Sequence, residues 1–377
     1  MARGLTAERV RQDVEVVSRA GLDLDTFLEE AVESVGRAVP WVSACLGTHD
    51  PGTHLLTSAR KYGALRTMNS HDHEFGLIEY GTVEPTAFTV LAGSATTAAG
   101  VHQVTGGDVE RSGRMSRFMR PLFGFSDEVR VVFRDARDVW GCMALFRGDG
   151  DRPFGEEDVD FLATISGSFA RGVRTGLLAR MAGPEVPVAP IGPAVLIVGP
   201  DDSVQQMSVG AEQRVADLIA SSPSASDPLT PVSALVGAAR RYARGEIAAP
   251  PRSRVRAASG MWLVLHASPL TSFGDRAGDV VVTIEEARPP EIVALVVAAF
   301  GLTQRERDVT QLVLQGVDTK EIAATLHVST YTVQDHLKSV FDKADVRSRR
   351  ELIARIYFDQ YVPRMGSELG PSGWFSS

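Results

Sequence analysis

Between Leu302 and Lys343 the sequence carries three helix starts in close succession, which restricts that stretch to short helices joined by tight turns. Thr303 and Glu306 have the spacing of a capping box, in which each side chain takes up the other residue's orphan backbone N–H. The helix that follows, through Val309, Leu312 and Val313, is predicted to stop at Gly316, a residue type that adopts the left-handed C′ conformation without strain. Asp318 and Glu321 repeat the box spacing ahead of Ile322, Ala323 and Leu326. Ser329 then caps a helix predicted from Thr330 to about Lys343. Two short helices across so brief a connector, with the small Ala323 where they cross, form a helix-turn-helix. His327 stands where many such turns have glycine, and histidine is among the residues enriched at positive φ.

At 100° per residue, Val333, Leu337, Val340 and Phe341 fall in one arc of the helix after Ser329, while Tyr331, Gln334, Asp335, Lys338 and Asp342 fall in the opposite one. The first arc is core. The second has the chemistry of a base-reading face: Gln can take adenine N6 and N7 together, Asp can accept from cytosine N4, and Lys can donate to guanine O6 or N7. About fourteen residues make a helix ~20 Å long, which a ~12 Å major groove admits.

The 377 residues exceed the ~150-residue prior for one domain, and two proline-bearing stretches suggest where to divide them. Met181–Pro190 holds three prolines, and Arg288-Pro-Pro290 precedes a new helical pattern. Three units are expected: 1–180, 190–288 and 291–365. The first reads as two helices, the second striped by Leu24, Phe27, Leu28, Ala31, Val32 and Val35. Strands follow at Leu55–Ala59, Val129–Arg134 and Val139–Phe146, the last two forming a hairpin over Asp135–Asp138, and a helix from Gly155 to Leu178 closes the unit. The second repeats this α+β pattern on a smaller scale, with strands at Ala194–Val198, Arg254–Arg256, Met261–Ser268 and Asp279–Ile284, and helices through Val215–Ile219 and Leu235–Tyr242. Ser221–Pro231 reads as a long surface loop, and Gly366–Ser377 as a frayed tail. A strand ending in Asp201-Asp202 suggests a phospho-acceptor receiver, but the second Asp-tipped strand and the Lys strand that a receiver needs are missing.

Composition is that of a folded chain, 44% hydrophobic and 23% charged. The net charge of −8 gives no global attraction to nucleic acid. That average conceals a local difference, because Thr330–Arg350 carries five basic and three acidic residues. Low non-specific affinity and reliance on a dimer are therefore expected. The polar Met1–Val14 segment has no export signal, and the longest apolar run, Ile292–Phe300, is far short of the ~20 residues of a membrane span. A cytoplasmic protein without membrane contact is expected.

Cys45 and Cys142 have no metal-ligand spacing and read as small core residues. His71-Asp-His-Glu74 offers imidazole and carboxylate groups but no third ligand at a defined spacing, so it reads as a loop opening a helix. Trp140 and Phe146 share a strand face by alternation, and core packing is the reading preferred over a pocket wall. GxSxG, HExxH and GxxxxGK[ST] are all absent. No enzyme activity, metal or cofactor is expected.

Leu302-Thr-Gln-Arg-Glu306, Gly316, Glu321-Ile-Ala323, Ser329, Thr332-Val333, His336-Leu337, Phe341-Asp-Lys343, Val346-Arg347 and Ser348-Arg349 together resemble the LuxR-type helix-turn-helix of bacterial transcription regulators. The resemblance implies an all-α four-helix domain with its third helix in the major groove and its fourth, Arg349–Tyr357, at a dimer interface. It places base contacts on Gln334, Asp335 and Lys338, and phosphate contacts on Lys320, Ser329, Thr330, Thr332, Lys343, Arg347 and Arg349. Trp140–Arg147, Pro153–Asp158 and the segment from Thr105-Gly-Gly-Asp108 to Leu122 resemble a GAF domain of actinobacterial regulators, while Trp262–Ala267 resembles a PAS-like strand. The expected molecule is thus a multidomain α+β regulator with GAF-like and PAS-like sensor domains. Double-stranded promoter DNA, a second copy of the chain, a small-molecule effector and RNA polymerase are its expected partners. The alternative is a regulator whose sensor domains bind a partner protein and no small ligand.

Overall fold

Asp23 accepts hydrogen bonds from the backbone N–H groups of Asp25 and Thr26, which fixes where the second helix begins. A computed structural model describes residues 2–179, 192–218, 224–271 and 277–357. In chain order the first elements are α1 (Ala2–Arg19), α2 (Leu24–Ala38), β1 (Ser43–His49), β2 (Leu56–Gly63), α3 (Asp72–Gly81), α4 (Phe88–Gly93), β3 (Ala98–Gly100), α5 (Val101–Val104), α6 (Arg120–Phe123), β4 (Asp127–Arg134), β5 (Val139–Arg147) and α7 (Glu156–Leu178). The strands make one antiparallel sheet in the order β2-β1-β5-β4-β3. One face is covered by α1, α2 and α7, where Phe169 stacks on Phe133 and meets Phe27 edge-on. The other face carries Cys142, Ala144 and Phe146 against Tyr80, Phe88 and Phe118.

The next elements are β6 (Ala194–Val198), β7 (Val204–Met207), α8 (Ala211–Ala216), α9 (Thr230–Ala243), β8 (Arg252–Arg256), β9 (Trp262–Pro269) and β10 (Val280–Glu286). Their sheet runs β7-β6-β10-β9-β8. Counted from its own first strand, each sheet has the order second, first, fifth, fourth, third, so the α+β plan is indeed used twice. Both sheets contribute to one continuous apolar core, in which α9 packs on α3.

The described residues divide into two compact units, one within Met1–Glu286 and one within Ala287–Ser376. The second is helical: α10 (Pro289–Ala299), α11 (Gln304–Leu314), α12 (Thr319–Leu326), α13 (Thr330–Ala344) and α14 (Arg349–Tyr357). Mixed α+β followed by an all-α segment is the expected fold class.

Three sequence readings need amendment. The described part of Ser221–Pro231 is not a surface loop: Ser224 and Ser226 are buried and exchange backbone bonds with Lys61 and Ala59, so the segment lies along the edge of β2. Asp318 caps α12 by accepting from the Lys320 and Glu321 N–H groups, but the box is one-sided, without the return bond from Glu321. The alternation along β5 slips at a bulge, where Phe133 faces Gly141 but Arg134 faces Val139. Trp140 consequently leaves the face of Phe146 and donates its Nε1–H to Asp135. The proline-bearing stretch Met181–Pro190, Ile219, the tail Gly366–Ser377 and positions 358–365 of the last expected unit lie outside the described residues.

Candidate nucleic-acid interface

Local capping builds the helix-turn-helix. Thr303 Oγ1 accepts from the Glu306 N–H and Glu306 Oε2 accepts from the Thr303 N–H at 2.6 Å, so the box at α11 is closed on both sides. Gly316 lies at φ +81°, just past the end of α11. His327 ends α12 at φ +55°, the left-handed position expected of it, and its N–H reaches the Ala323 and Ala324 carbonyls. Ser329 Oγ accepts from the Thr332 N–H at 3.0 Å and starts α13 two residues later.

α13 packs on α11 and α12 through Val333, Leu337 and Val340, which are buried, while Phe341 is half-buried. Tyr331, Gln334, Asp335, Lys338 and Asp342 are exposed on the opposite arc, with Tyr331 72% accessible. Lys320, Ser329, Thr330 and Arg347 are also exposed, and Thr332 is half-buried. Two of the basic residues have other surroundings. Lys343 donates to both oxygens of Glu306, at 2.6 and 2.8 Å, and Ser339 Oγ donates to the same carboxylate at 2.6 Å. Burial alone would raise the pKa of Glu306, but the bonds from Lys343, Ser339 and Thr303 outweigh it and hold the carboxyl at about 2. Arg349, the first residue of α14, is half-buried, and its Nε and one terminal nitrogen have no hydrogen-bond partner among the described residues. The Glu306 tie spans 37 positions. No local signal in the sequence announces it beyond the polarity of Ser339 and Lys343.

The model of the family described as bacterial regulatory proteins, luxR family, matches residues 301–356, which is α11 to α14 almost entire. The spore germination protein GerE of Bacillus subtilis is 38% identical over 55 residues, covering 15% of this chain and 74% of GerE. The chain belongs to the LuxR family of bacterial regulatory proteins. Other relatives in the LuxR-type segment are the transcriptional regulatory protein DesR of B. subtilis, 40% identical over 15% of this chain and 29% of DesR, and a putative regulator in the exeN 3′ region of Aeromonas salmonicida, 49% identical over 14% and 26%. The chain thus spans about a quarter of the length of the first curated relatives it matches. These relatives are named as regulators and not as enzymes. Among solved structures, the chain is similar to an A. aeolicus nlh2 GAF domain at a TM-score of 0.31 and 10% identity, covering 45% of this chain and 96% of that one. It is also similar to a ligand- and DNA-bound VqmA of Vibrio cholera at 0.24 and 16%, covering 47% and 85%.

In the N-terminal unit, the His71–Glu74 segment opens α3; His71 Nδ1 lies 3.4 Å from Glu74 Oε2, while Asp72 and His73 turn to other partners. Asp72 pairs with Lys61 at 2.8 Å. The two ring nitrogens of His73 lie 2.6 Å from Ser233 Oγ and from the Asp202 carbonyl. No group of three metal-ligating side chains occurs among the described residues, and no helix among them is long and apolar enough to cross a membrane. A buried ionic cluster beside α3 has no counterpart in any sequence signal: Arg114 binds Glu128 at 2.7 Å and Arg130 binds Glu79 at 2.8 Å, with Arg130 also 3.6 Å above the Phe88 ring.

Proposed function

We propose that the chain is a promoter-binding transcriptional regulator that acts as a homodimer. α13 enters the major groove, where Gln334, Asp335 and Lys338 read base edges. Lys320, Ser329, Thr330, Thr332, Lys343, Arg347 and Arg349 meet phosphates, and Lys343 does so while remaining tied to Glu306. The observation that carries this reading is the polar, exposed arc of α13 inside the segment shared with LuxR-family proteins. Residues 291–365 form the DNA-binding domain; the GAF-like 1–180 and PAS-like 190–288 domains take up a small effector in the cytoplasm and alter promoter occupancy. Such control requires the effector to bind the DNA-competent and incompetent states unequally. The bound dimer then acts on RNA polymerase.

Fluorescence anisotropy on promoter fragments recovered by chromatin capture tests the assignment. Gln334→Ala should relax preference at one base pair, while Lys320→Ala should weaken all sequences alike and reduce the salt slope by about 1. A uniform loss of affinity in both variants would overturn the base-reading role of Gln334. Binding that is indifferent to salt would overturn the phosphate contacts.

A further inference from the structure

Beneath β1 and β5 the N-terminal unit holds a partly open cavity of about 50 Å³, several times the roughly 10–15 Å³ that a single water occupies. Its wall is almost wholly apolar, with Leu56, Tyr80, Phe118, Phe123, Cys142 and Phe146 among the contributors. Apolar walls of this character accept apolar rings. Three of the wall rings pack edge-on against one another, Phe118 on Phe123 at 5.7 Å and His71 on both at 6.2 and 5.9 Å, so the wall offers aromatic surface of the kind an aromatic ring packs against.

The charged groups in the wall are already committed. Lys61 uses its three protons on the two Asp72 oxygens and the Met68 carbonyl, at 2.7 to 2.9 Å. Glu79 accepts from the Phe88 N–H and from Arg130. The Tyr80 hydroxyl lies 3.2 Å from Nε2 of buried His49. A charged guest would lose its hydration and find no free counter-charge. His71 differs: its side chain is 37% exposed at the rim, and Nε2 has no hydrogen bond among the described residues.

We propose that this cavity binds an uncharged, one-ring aromatic molecule whose single hydroxyl or carbonyl group meets His71. The proposal rests on reading the N-terminal unit as the sensor, and the two are tested apart. Isothermal titration of the full chain should give benzyl alcohol a Kd on the order of 0.1 mM. Benzoate and benzylamine should bind at least tenfold more weakly. Ala144→Phe, which fills the cavity, should weaken benzyl alcohol at least tenfold; should that variant melt early by circular dichroism, Cys142→Leu fills the same wall less severely and should weaken it several-fold. His71→Phe should weaken benzyl alcohol but leave toluene unchanged. Equal binding of the charged probes, failure of benzyl alcohol to bind, or binding that survives the filling substitutions would overturn the proposal. Anisotropy with promoter DNA is then measured with and without saturating benzyl alcohol. Unchanged DNA affinity would sink ligand control while the cavity assignment stands.

Discussion

Glu306 is only 4% exposed, yet it stays ionised because Lys343, Ser339 and the Thr303 N–H all donate to it. Its depression from 4.5 to about 2 corresponds to stability on the order of 3 kcal/mol. A depressed carboxylate stabilises fully above its unfolded pKa and loses that contribution as pH falls through the folded one. Melts of the helical unit should therefore hold steady above about pH 5 and weaken progressively toward pH 2. Glu306→Gln should remove most of that dependence and cost at most about 3 kcal/mol at neutral pH, since it removes the charge to which Lys343, Ser339 and the Thr303 N–H donate. The two cysteines make an opposite case. Burial pushes the Cys45 thiol up to about 12 and also raises Cys142 well above its usual value. Neither should react with iodoacetamide at pH 8 in the folded chain, and both should react within minutes in denaturant, as intact-mass measurement will show.

Among elements, those built by local signals are the ones legible from sequence. α11 to α14 follow from caps and a 100° period, both readable within a dozen residues, and the exposed arc of α13 follows from the same arithmetic. β1 carries no strand signal, because its seven residues are almost all buried, on both faces, and show no alternation. β2 is only half legible: Arg60 and Lys61 look like solvent-facing charges but lie buried against Asp25 and Asp72. The cavity is not legible at all, since its wall is assembled from strands and helices scattered between residues 45 and 146. Gly316 offers a clean check on local control. Space around it is open, with no neighbouring atom within 4 Å of where a Cβ would stand, so Gly316→Ala should cost only the left-handed backbone penalty, about 1 kcal/mol by chemical denaturation.

At the scale of the molecule, the net charge of −8 and the local basic surplus of Thr330–Arg350 act on different quantities. The first limits non-specific association with DNA, and the second concerns the bound complex. Within residues 1–286 the two sheets share a core and are clasped by Asp50, whose carboxylate takes the Arg254 backbone N–H at 2.8 Å and its guanidinium at 2.5 and 2.7 Å. Calorimetry should accordingly show this unit melting in one transition, with a second for the helical unit. Asp50→Ala should lower only the former, by roughly 3 kcal/mol, because it removes a buried carboxylate that accepts three hydrogen bonds from Arg254. The segment at residues 224–226 has a related consequence. It occupies the outer rim of β2 with backbone bonds at Lys61 and Ala59. A fragment ending near residue 180 would present that rim bare, a template for intermolecular strand addition, and its self-association should be read as an artefact of truncation, not as support for the proposed homodimer.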